Sequence, residues 1–216
     1  MFYIKIDTTV KIDDSRYLKR FSIAANNSCF FLAFQFCLTG VYQEDNGSEL
    51  RKVVADFILA HSDRFGHGVL DNGRTPSQYA NWIKKSESWG GAIEIQILSE
   101  IHSVCIRVMN IKEASFMPLG NEHHSDCIYL RFDGVHYDAF YAENNDGSNE
   151  TKFRTNDFKV VDAVKEYGRL EKGKSNYVDT SDMRFQCATC SAYCKDVQQM
   201  NGHTEKTGHL SFNQIK

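Results

Sequence analysis

Residues 27–38 read NSCFFLAFQFCL, and this stretch decides how the chain folds. From Phe30 to Leu38 the apolar side chains appear on every side, so the segment is stable only when it is fully buried. Gly40 follows closely, and glycine accepts the left-handed conformation that commonly ends a helix. The sequence therefore predicts a buried helix that starts near Cys29 and ends before Gly40.

The start of this helix places a cysteine where its chemistry changes. If Asn27 or Ser28 caps the helix, Cys29 occupies the first turn. The partial positive charge of a helix N-terminus favours a thiolate over a thiol, and burial of the following turns fixes the sulfur at a surface opening. A packing cysteine, such as Cys37 on the same helix, is the alternative interpretation.

A histidine and an aspartate in the second half complement this cysteine. Asp133-Gly134 has the composition of a two-residue hairpin turn between strands Ile128–Phe132 and Val135–Tyr141. On one strand, His136 and Asp138 face the same side, so the carboxylate can accept from one ring nitrogen while the other faces a thiol. A surface pair is the alternative, but the tight turn and the order cysteine then histidine favour a catalytic site.

The remaining patterns predict helices in the first half and strands in the second. Residues 50–58 have helical apolar spacing, and the capping box Thr75-Pro76-Ser77-Gln78 opens another helix, whereas residues 89–101 fit a strand and a helix equally well. Further predicted elements are strands over Phe2–Ile6 and Val104–Met109, a polar loop over 142–158, and a helix over Val160–Leu170. This order indicates the α+β class.

Four residues near the C-terminus have the spacing of a zinc site. Cys187 and Cys190 form a Cys-x2-Cys knuckle, and His203 follows after twelve residues, with five residues between it and His209. Tetrahedral zinc takes four such nitrogen and sulfur ligands, and the spacing is typical of a two-Cys, two-His finger. A reduced thiol pair beside unrelated histidines is the alternative. Because four protein ligands leave no open position, the predicted zinc is structural.

The charge pattern argues against nucleic acid or a membrane surface as the partner. The chain has 25 Lys and Arg against 28 Asp and Glu, a net charge of −3. Residues 184–216 have a small basic excess, and no arginine follows the knuckle to read guanine. We expect a protein-binding or structural finger in which Tyr193, Met200 and Phe212 pack beneath the metal, and a nucleic-acid adaptor is the alternative.

Length and composition bound the class of protein. With 216 residues, 42% of them hydrophobic, the chain suffices for one medium domain and a small second one. No segment has the roughly 18 apolar residues that a membrane span needs, and the start lacks the apolar core of a signal peptide. We expect the chain in the cytoplasm, with the nucleus as a second compartment, where its seven cysteines stay reduced.

Four motifs in order resemble the ovarian-tumour (OTU) family of cysteine deubiquitinases, in the Otu/Yod-type subgroup of ubiquitin thioesterases with a C-terminal zinc finger. The motifs are NSCFF at 27–31, WIKKSESWGGAIEI at 82–95, FDGVHYD at 132–138 and HTEKTGH at 203–209. The resemblance covers about residues 16–216. It implies a papain-like α+β fold with a central sheet between helices, a small ββα-type finger, and a helix at the tryptophan-glycine-glycine segment.

The resemblance also implies an activity, that of a thiol protease. Such enzymes hydrolyse thioester, peptide and isopeptide bonds at the ubiquitin C-terminus, so ubiquitin and polyubiquitin chains are the expected partners. Cys29 would be the nucleophile, His136 the general base and then acid, and Asp138 the orienting residue, with no cofactor for catalysis. Trp89-Gly90-Gly91 would help to shape the channel for the last two glycines of ubiquitin.

One departure from the family pattern concerns the loop before the nucleophile. Family members usually have Pro-x-Asp there, whereas this chain has Ala24-Ala25-Asn26. The family aspartate organises the oxyanion loop, and Asn26 keeps an acceptor and adds a donor but loses the charge. The alternative to an active enzyme is therefore a catalytically weakened relative that acts as a ubiquitin-binding adaptor.

A second departure concerns domain organisation. We expect an N-terminal extension over 1–15, an OTU catalytic domain over 16–172, a linker over 173–183 and the finger over 184–216. Longer relatives carry a ubiquitin-like domain that docks onto a hexameric AAA segregase. About twenty residues precede the match here, too few for such a domain, which puts direct recruitment to the segregase in doubt.

Overall fold

The computed structural model describes residues 7–45, 47–65, 70, 73–117, 119–180, 184–209 and 212–215. They form two compact units with a boundary between Asn176 and Tyr177. The predicted strand Phe2–Ile6 lies outside the described residues. No helix in the described ranges combines the length and the apolar character that crossing a bilayer requires.

The first unit is a mixed sheet with helices on both faces. Its helices are α1 Cys29–Thr39, α2 Ser48–Ala60, α3 Pro76–Ile83, α4 Ala92–His102 and α5 Phe158–Gly173. Its strands are β1 Val10–Lys11, β2 Arg16–Phe21, β3 Val104–Asn110, β4 Ser115–Phe116, β5 Asp126–Phe132, β6 Tyr137–Asn144, β7 Asn149–Glu150 and β8 Phe153–Arg154. The main sheet order is β1-β2-β6-β5-β3-β4, and β3 and β5 are parallel. The predicted α+β class is confirmed.

Alternation along β6 places α1 and α5 on opposite faces of this sheet. The ring of Tyr137 contacts Phe30 of α1 edge-on, whereas Phe140 contacts Tyr167 of α5 in the same manner. Residues 137 and 140 differ by an odd number, so their side chains leave the strand on opposite sides. The sheet is therefore covered on both faces, and its central strands are buried.

The apolar stretch that follows Ser28 forms α1 as predicted. Most of its side chains are buried in the core between the sheet and helices α2 to α4. Gly40 ends the helix with φ +74°, and its N–H donates to the carbonyl of Phe36 at 2.8 Å. The capping box at Thr75 is also present, and its two reciprocal bonds start α3. Residues 92–102 are helical, which resolves the ambiguity for most of that segment. Residues 89–91 precede the helix, so the expected helix at the tryptophan-glycine-glycine segment is wrong there.

Two predictions about the second half are wrong. The connection between β5 and β6 is a loop of four residues, 133–136. In this loop the carboxylate of Asp133 accepts from two backbone N–H groups, and the Asp133 N–H donates to the carbonyl of His136. Residues 142–158 are not one loop: β6 extends to Asn144, and β7 and β8 add short strands to the sheet. Backbone pairing here overrides the polar composition.

The ends of the first unit differ from the expected segments. Within residues 1–15, β1 pairs with β2 and so belongs to the sheet. Helix α5 continues to Gly173, and the N–H of Lys174 donates to the carbonyl of Leu170 at 3.1 Å, so the predicted linker begins as a helix end.

The second unit has a ββα order followed by a third strand. Its elements are β9 Arg184–Cys187, β10 Tyr193–Cys194, α6 Val197–Thr207 and β11 Phe212–Ile215, with the sheet order β10-β9-β11. Tyr193 is 58% exposed, so its predicted packing beneath a metal is wrong. Tyr193 belongs to a strand of two residues, and its side chain remains exposed there. Met200 is half-buried, and the side chain of Phe212 lies outside the described atoms.

Candidate active site

Cys29 is the first residue of α1 and is buried at its N-terminus. Ser28 occupies the cap position, but its side chain makes no capping hydrogen bond. The loop is instead held by Asn26, whose Oδ1 accepts from the N–H of Ser28 at 2.9 Å and whose carbonyl accepts from the N–H of Cys29 at 3.3 Å. The sulfur is therefore presented by a loop that its own side chains and backbone organise.

His136 lies in the loop before β6 rather than on the strand itself. The backbone N–H groups of Val135 and His136 donate to Asp133 Oδ1 at 3.1 and 2.9 Å. The imidazole Nε2 lies 3.1 Å from Asp138 Oδ1, which leaves Nδ1 as the other ring nitrogen. Hydrogen bonds to Asp138 and to the Cys29 thiolate raise the pKa of His136 to about 10, although partial burial lowers it.

Asp138 completes the arrangement from a position that is 1% exposed. Its Oδ1 also accepts from the N–H of Ile23 at 3.0 Å, and its Oδ2 lies 3.5 Å from Arg20 Nη1 and 3.4 Å from Arg131 Nη1. Burial by itself raises the pKa of this carboxyl, but the hydrogen bonds from His136 and Ile23 and the charge of Arg20 bring it below its usual value. The structure thus brings cysteine, histidine and a charged aspartate together.

Sequence reasoning missed the arginines behind this aspartate. Arg131 is 3% exposed near the end of β5, and it also binds Asp133 Oδ2 at 3.2 Å and the carbonyl of Asn176 at 2.6 Å. The available signal was an arginine inside an otherwise apolar strand, CIYLRF, where a buried charge needs partners. Asp133 and Asp138 are those partners.

A small pocket opens beside Cys29. Its volume is about 170 Å³, and its walls include Asn27, Phe30, Trp89 and Gly90. The indole N–H of Trp89 donates to Asn27 Oδ1 at 2.7 Å. A Cβ on Gly90 would lie 2.5 Å from Cδ1 of Phe30, so only glycine lets the chain pass this close. The pocket wall is therefore formed in part by backbone that packs closely against Phe30 at Gly90.

The four predicted metal ligands lie together in the second unit. Ligand atoms of Cys187, Cys190, His203 and His209 are all within 4.8 Å of one another. Cys187 Sγ lies 3.5 Å from His209 Nδ1, and His203 Nε2 lies 3.4 Å from both Cys190 Sγ and His209 Nδ1. A tetrahedron with zinc–sulfur and zinc–nitrogen bonds of ordinary length has edges of about 3.4–3.6 Å between such atoms. Three distances in the cluster match these edges, so the four residues could hold a metal ion.

The surroundings of the Cys187 thiol lower its pKa, which favours metal binding. Burial raises its pKa, but the backbone N–H groups of Cys190 and Thr189 donate to its sulfur and outweigh that effect, which brings the pKa to about 6. Metals bind the thiolate form, so this loop favours the state that a metal ligand needs.

Comparison with known families agrees with this geometry. The model of the OTU-like cysteine protease family matches residues 26–144, which include the cysteine, the histidine and the aspartate. The chain belongs to this family.

Similar proteins are described as ubiquitin thioesterases. The chain is 30% identical to the ubiquitin thioesterase OTU1 of Drosophila pseudoobscura pseudoobscura over 195 residues, 89% of this chain and 54% of the relative. It is 30% identical to that of Saccharomyces cerevisiae over 190 residues, 88% and 61% of the two chains. The chain thus spans little more than half the length of these relatives.

A solved structure supports the fold assignment. An ovarian-tumour (OTU) domain that was solved in complex with ubiquitin superposes on this chain with a TM-score of 0.70 at 26% identity. The match covers 82% of this chain and 100% of that one. The arrangement of sheet and helices is that of an OTU domain.

Proposed function

We propose that this chain is a cysteine-type deubiquitinase that hydrolyses thioester and isopeptide bonds at the ubiquitin C-terminus. The observation that carries the proposal is the placement of His136 against both Cys29 and Asp138, beside a small pocket. The ubiquitin complex of the similar OTU domain and the description of the relatives as ubiquitin thioesterases supply the substrate class.

In the first half of the reaction the Cys29 thiolate attacks the carbonyl carbon of the terminal glycine of ubiquitin. A carbon–sulfur bond forms, and the negative charge moves to the carbonyl oxygen, which backbone N–H groups near Cys29 would hold. His136, protonated at Nδ1 while Asp138 binds Nε2, gives its proton to the leaving lysine amine. The carbon–nitrogen bond breaks and a thioester remains.

In the second half a water molecule attacks this thioester. Neutral His136 takes one proton from the water, and the carbon–sulfur bond breaks with Cys29 again a thiolate. The ubiquitin carboxylic acid leaves and loses its remaining proton to solvent. Asp138 keeps the imidazole in one orientation through both halves and stabilises its charged form.

The second candidate is a weakened relative that binds ubiquitin without turnover, because Asn26 replaces the family aspartate. The bond from the N–H of Ser28 to Asn26 Oδ1 favours the active enzyme, since a carboxylate would accept from the same donor. Asn26→Asp separates the two: a large gain in kcat would mean that the natural loop is impaired, and an unchanged kcat would mean that the amide suffices.

For the second unit we propose a structural zinc ion held by Cys187, Cys190, His203 and His209. The donor set and the spacing of the ligand atoms support it. We propose that this finger binds protein or has a structural role. Steeply salt-dependent binding to duplex DNA or RNA would contradict this. For the whole protein we propose a cytoplasmic or nuclear location.

The deciding experiment uses ubiquitin that carries a C-terminal electrophile. Wild-type protein should form a covalent adduct and cleave a panel of ubiquitin chains, and Cys29→Ala should do neither. Cys37→Ala is the matched control, because this second cysteine of α1 is buried with its sulfur toward the carbonyls of Tyr129 and Phe140. An adduct on Cys29→Ala, or none on wild type, would remove the proposal.

A further inference from the structure

Arg51 of α2 is a charged residue in the interior. It is 1% exposed and shares the inward face of the helix with Val54 and Ile58. Its guanidinium carbon lies 4.3 Å from the ring centroid of Phe31, the second residue after the nucleophile. A buried guanidinium is costly unless its donors are bound, so its partners define its purpose.

The partners of Arg51 come from two separate loops. We call residues 26–28 the nucleophile loop and residues 84–91 the pocket loop. In the nucleophile loop, Nη2 donates to the carbonyl of Asn27 at 3.2 Å and to Ser28 Oγ at 2.9 Å. On the other side, Nη1 donates to the carbonyl of Ser88 at 2.8 Å, and Nη2 donates to that of Ser86 at 3.3 Å. One planar group therefore joins the two loops.

The pocket loop is fixed at its start as well. Arg51 Nη1 donates to the carbonyl of Ile83, the last residue of α3, at 3.0 Å. The pocket loop in turn reaches back, since Trp89 binds the Asn27 side chain whose backbone carbonyl Arg51 holds. The loop that carries Cys29 and the loop that forms the pocket wall are thus both bound to the same guanidinium.

The guanidinium remains charged at neutral pH. Burial lowers the pKa of Arg51 to about 10, and the negative charges of Glu94, Glu87 and Cys29 oppose that effect. A positive charge therefore persists next to the nucleophile loop.

We propose that Arg51 is a positioning residue for the reaction: its guanidinium fixes the nucleophile loop against the pocket loop and so sets the place of Cys29 relative to the bound chain end. This rests on the proposed function for its substrate and on the geometry alone for the role of the arginine. Arginine suits the task because its rigid fork binds several acceptors at once, whereas a lysine ammonium binds as a point charge.

The test compares Arg51→Lys and Arg51→Gln in the full chain by two measurements. The first is kcat and KM on a ubiquitin substrate, and the second is the pH profile of Cys29 alkylation by iodoacetamide, read on the Cys29 peptide. Both variants should lose roughly 100-fold in kcat, the cost of a small misplacement of reacting groups. Arg51→Gln should also change the alkylation profile, because a positive charge beside the nucleophile loop is lost. Arg51→Lys should keep the profile of wild type.

Two further variants keep the result interpretable. Ser28→Ala removes one acceptor with little change in volume, so it should fold and lower kcat about 10-fold while KM stays the same. Arg107→Gln is the control, because that arginine binds Glu122, Tyr129 and Thr155 away from the site and should leave both measurements unchanged.

The outcomes separate this inference from the proposed function. Wild-type kcat and alkylation profile in Arg51→Gln would overturn it, and so would unchanged kcat in Ser28→Ala if Arg51→Gln fails to fold. The alkylation step needs no ubiquitin. A wild-type protein inactive on ubiquitin, with a profile that still depends on Arg51, would therefore refute the substrate and retain the arginine's role.

Discussion

Asp133 holds His136 by its backbone: Oδ1 of the aspartate accepts from the N–H of the histidine at 2.9 Å. The same carboxylate binds Arg131 through its other oxygen, and Arg131 also binds Asp138, which orients the imidazole. The backbone and the ring of the histidine are therefore fixed by two carboxylates that share one guanidinium.

Replacing Asp133 should separate these two supports. We expect Asp133→Ala to lower kcat on a ubiquitin substrate by about 10- to 100-fold, because the loop that carries His136 loses its acceptor. Asp133→Asn keeps an oxygen acceptor and should lose less. Steady-state kinetics measure both, and equal activity of Asp133→Ala and wild type would contradict this account of the loop.

Replacing Asp138 should cost stability as well as activity. Asp138→Ala removes the buried carboxylate that Arg20 and Arg131 share, although Asp7, Asp133 and Glu171 still pair with these arginines. We expect the loss of this buried acceptor to destabilise the fold by about 1–3 kcal/mol. Urea unfolding at neutral pH measures this. Removal of the exposed carboxylate of Asp14, which pairs with Lys11 at the surface, is the control and should change little. A loss in Asp138→Ala no larger than in Asp14→Ala would contradict the prediction.

The raised pKa of His136 predicts a pH dependence of stability. The pKa rises from 6.5 to about 10 in the folded state, so the stabilisation is complete below about 6.5 and is lost as the pH rises toward 10. The difference in unfolding free energy between wild type and His136→Ala should shrink across this window. Cys29→Ala should lower the pKa of His136, measured by NMR titration, because the thiolate contributes to the rise. An unshifted titration in that variant would show that the thiolate is not a partner.

Metal removal should affect the two units differently. Because zinc sites of this kind supply folding free energy, a chelator should unfold the second unit while the first stays folded. Cys190→Ala should mimic chelation, whereas Cys194→Ala, which changes a cysteine outside the cluster, should retain metal. Circular dichroism and metal analysis follow the change. Cooperative loss of the whole fold would show that the units depend on each other.

The sequence allowed prediction where one kind of interaction dominates. An apolar run with no polar face has one stable solution, and α1 follows it from Cys29 to Gly40. The metal cluster is equally direct, because spacing along the chain sets the four ligands. Residues 89–101 fitted two periods, and the helix was resolved by tertiary contacts, among them the bond from Tyr79 to Glu94.

Other features depend on contacts between distant segments. Asp133-Gly134 has the composition of a tight turn, but a side chain that binds two N–H groups made a longer loop of it. The sequence patterns gave no role to Arg51 or Arg131, and only the assembled loops and carboxylates account for their burial. The local sequence does not identify partners that come from distant segments.

The carbonyl of Asn176 has a consequence for where the catalytic unit may be cut. Arg131 binds this carbonyl at 2.6 Å while it holds the two aspartates around the histidine. A shortened protein ending at the last turn of α5 would keep every residue of the sheet, yet would release one anchor of the guanidinium. The first unit thus needs a residue beyond α5, its last helix, although the side chain of that residue takes no part in the proposed reaction.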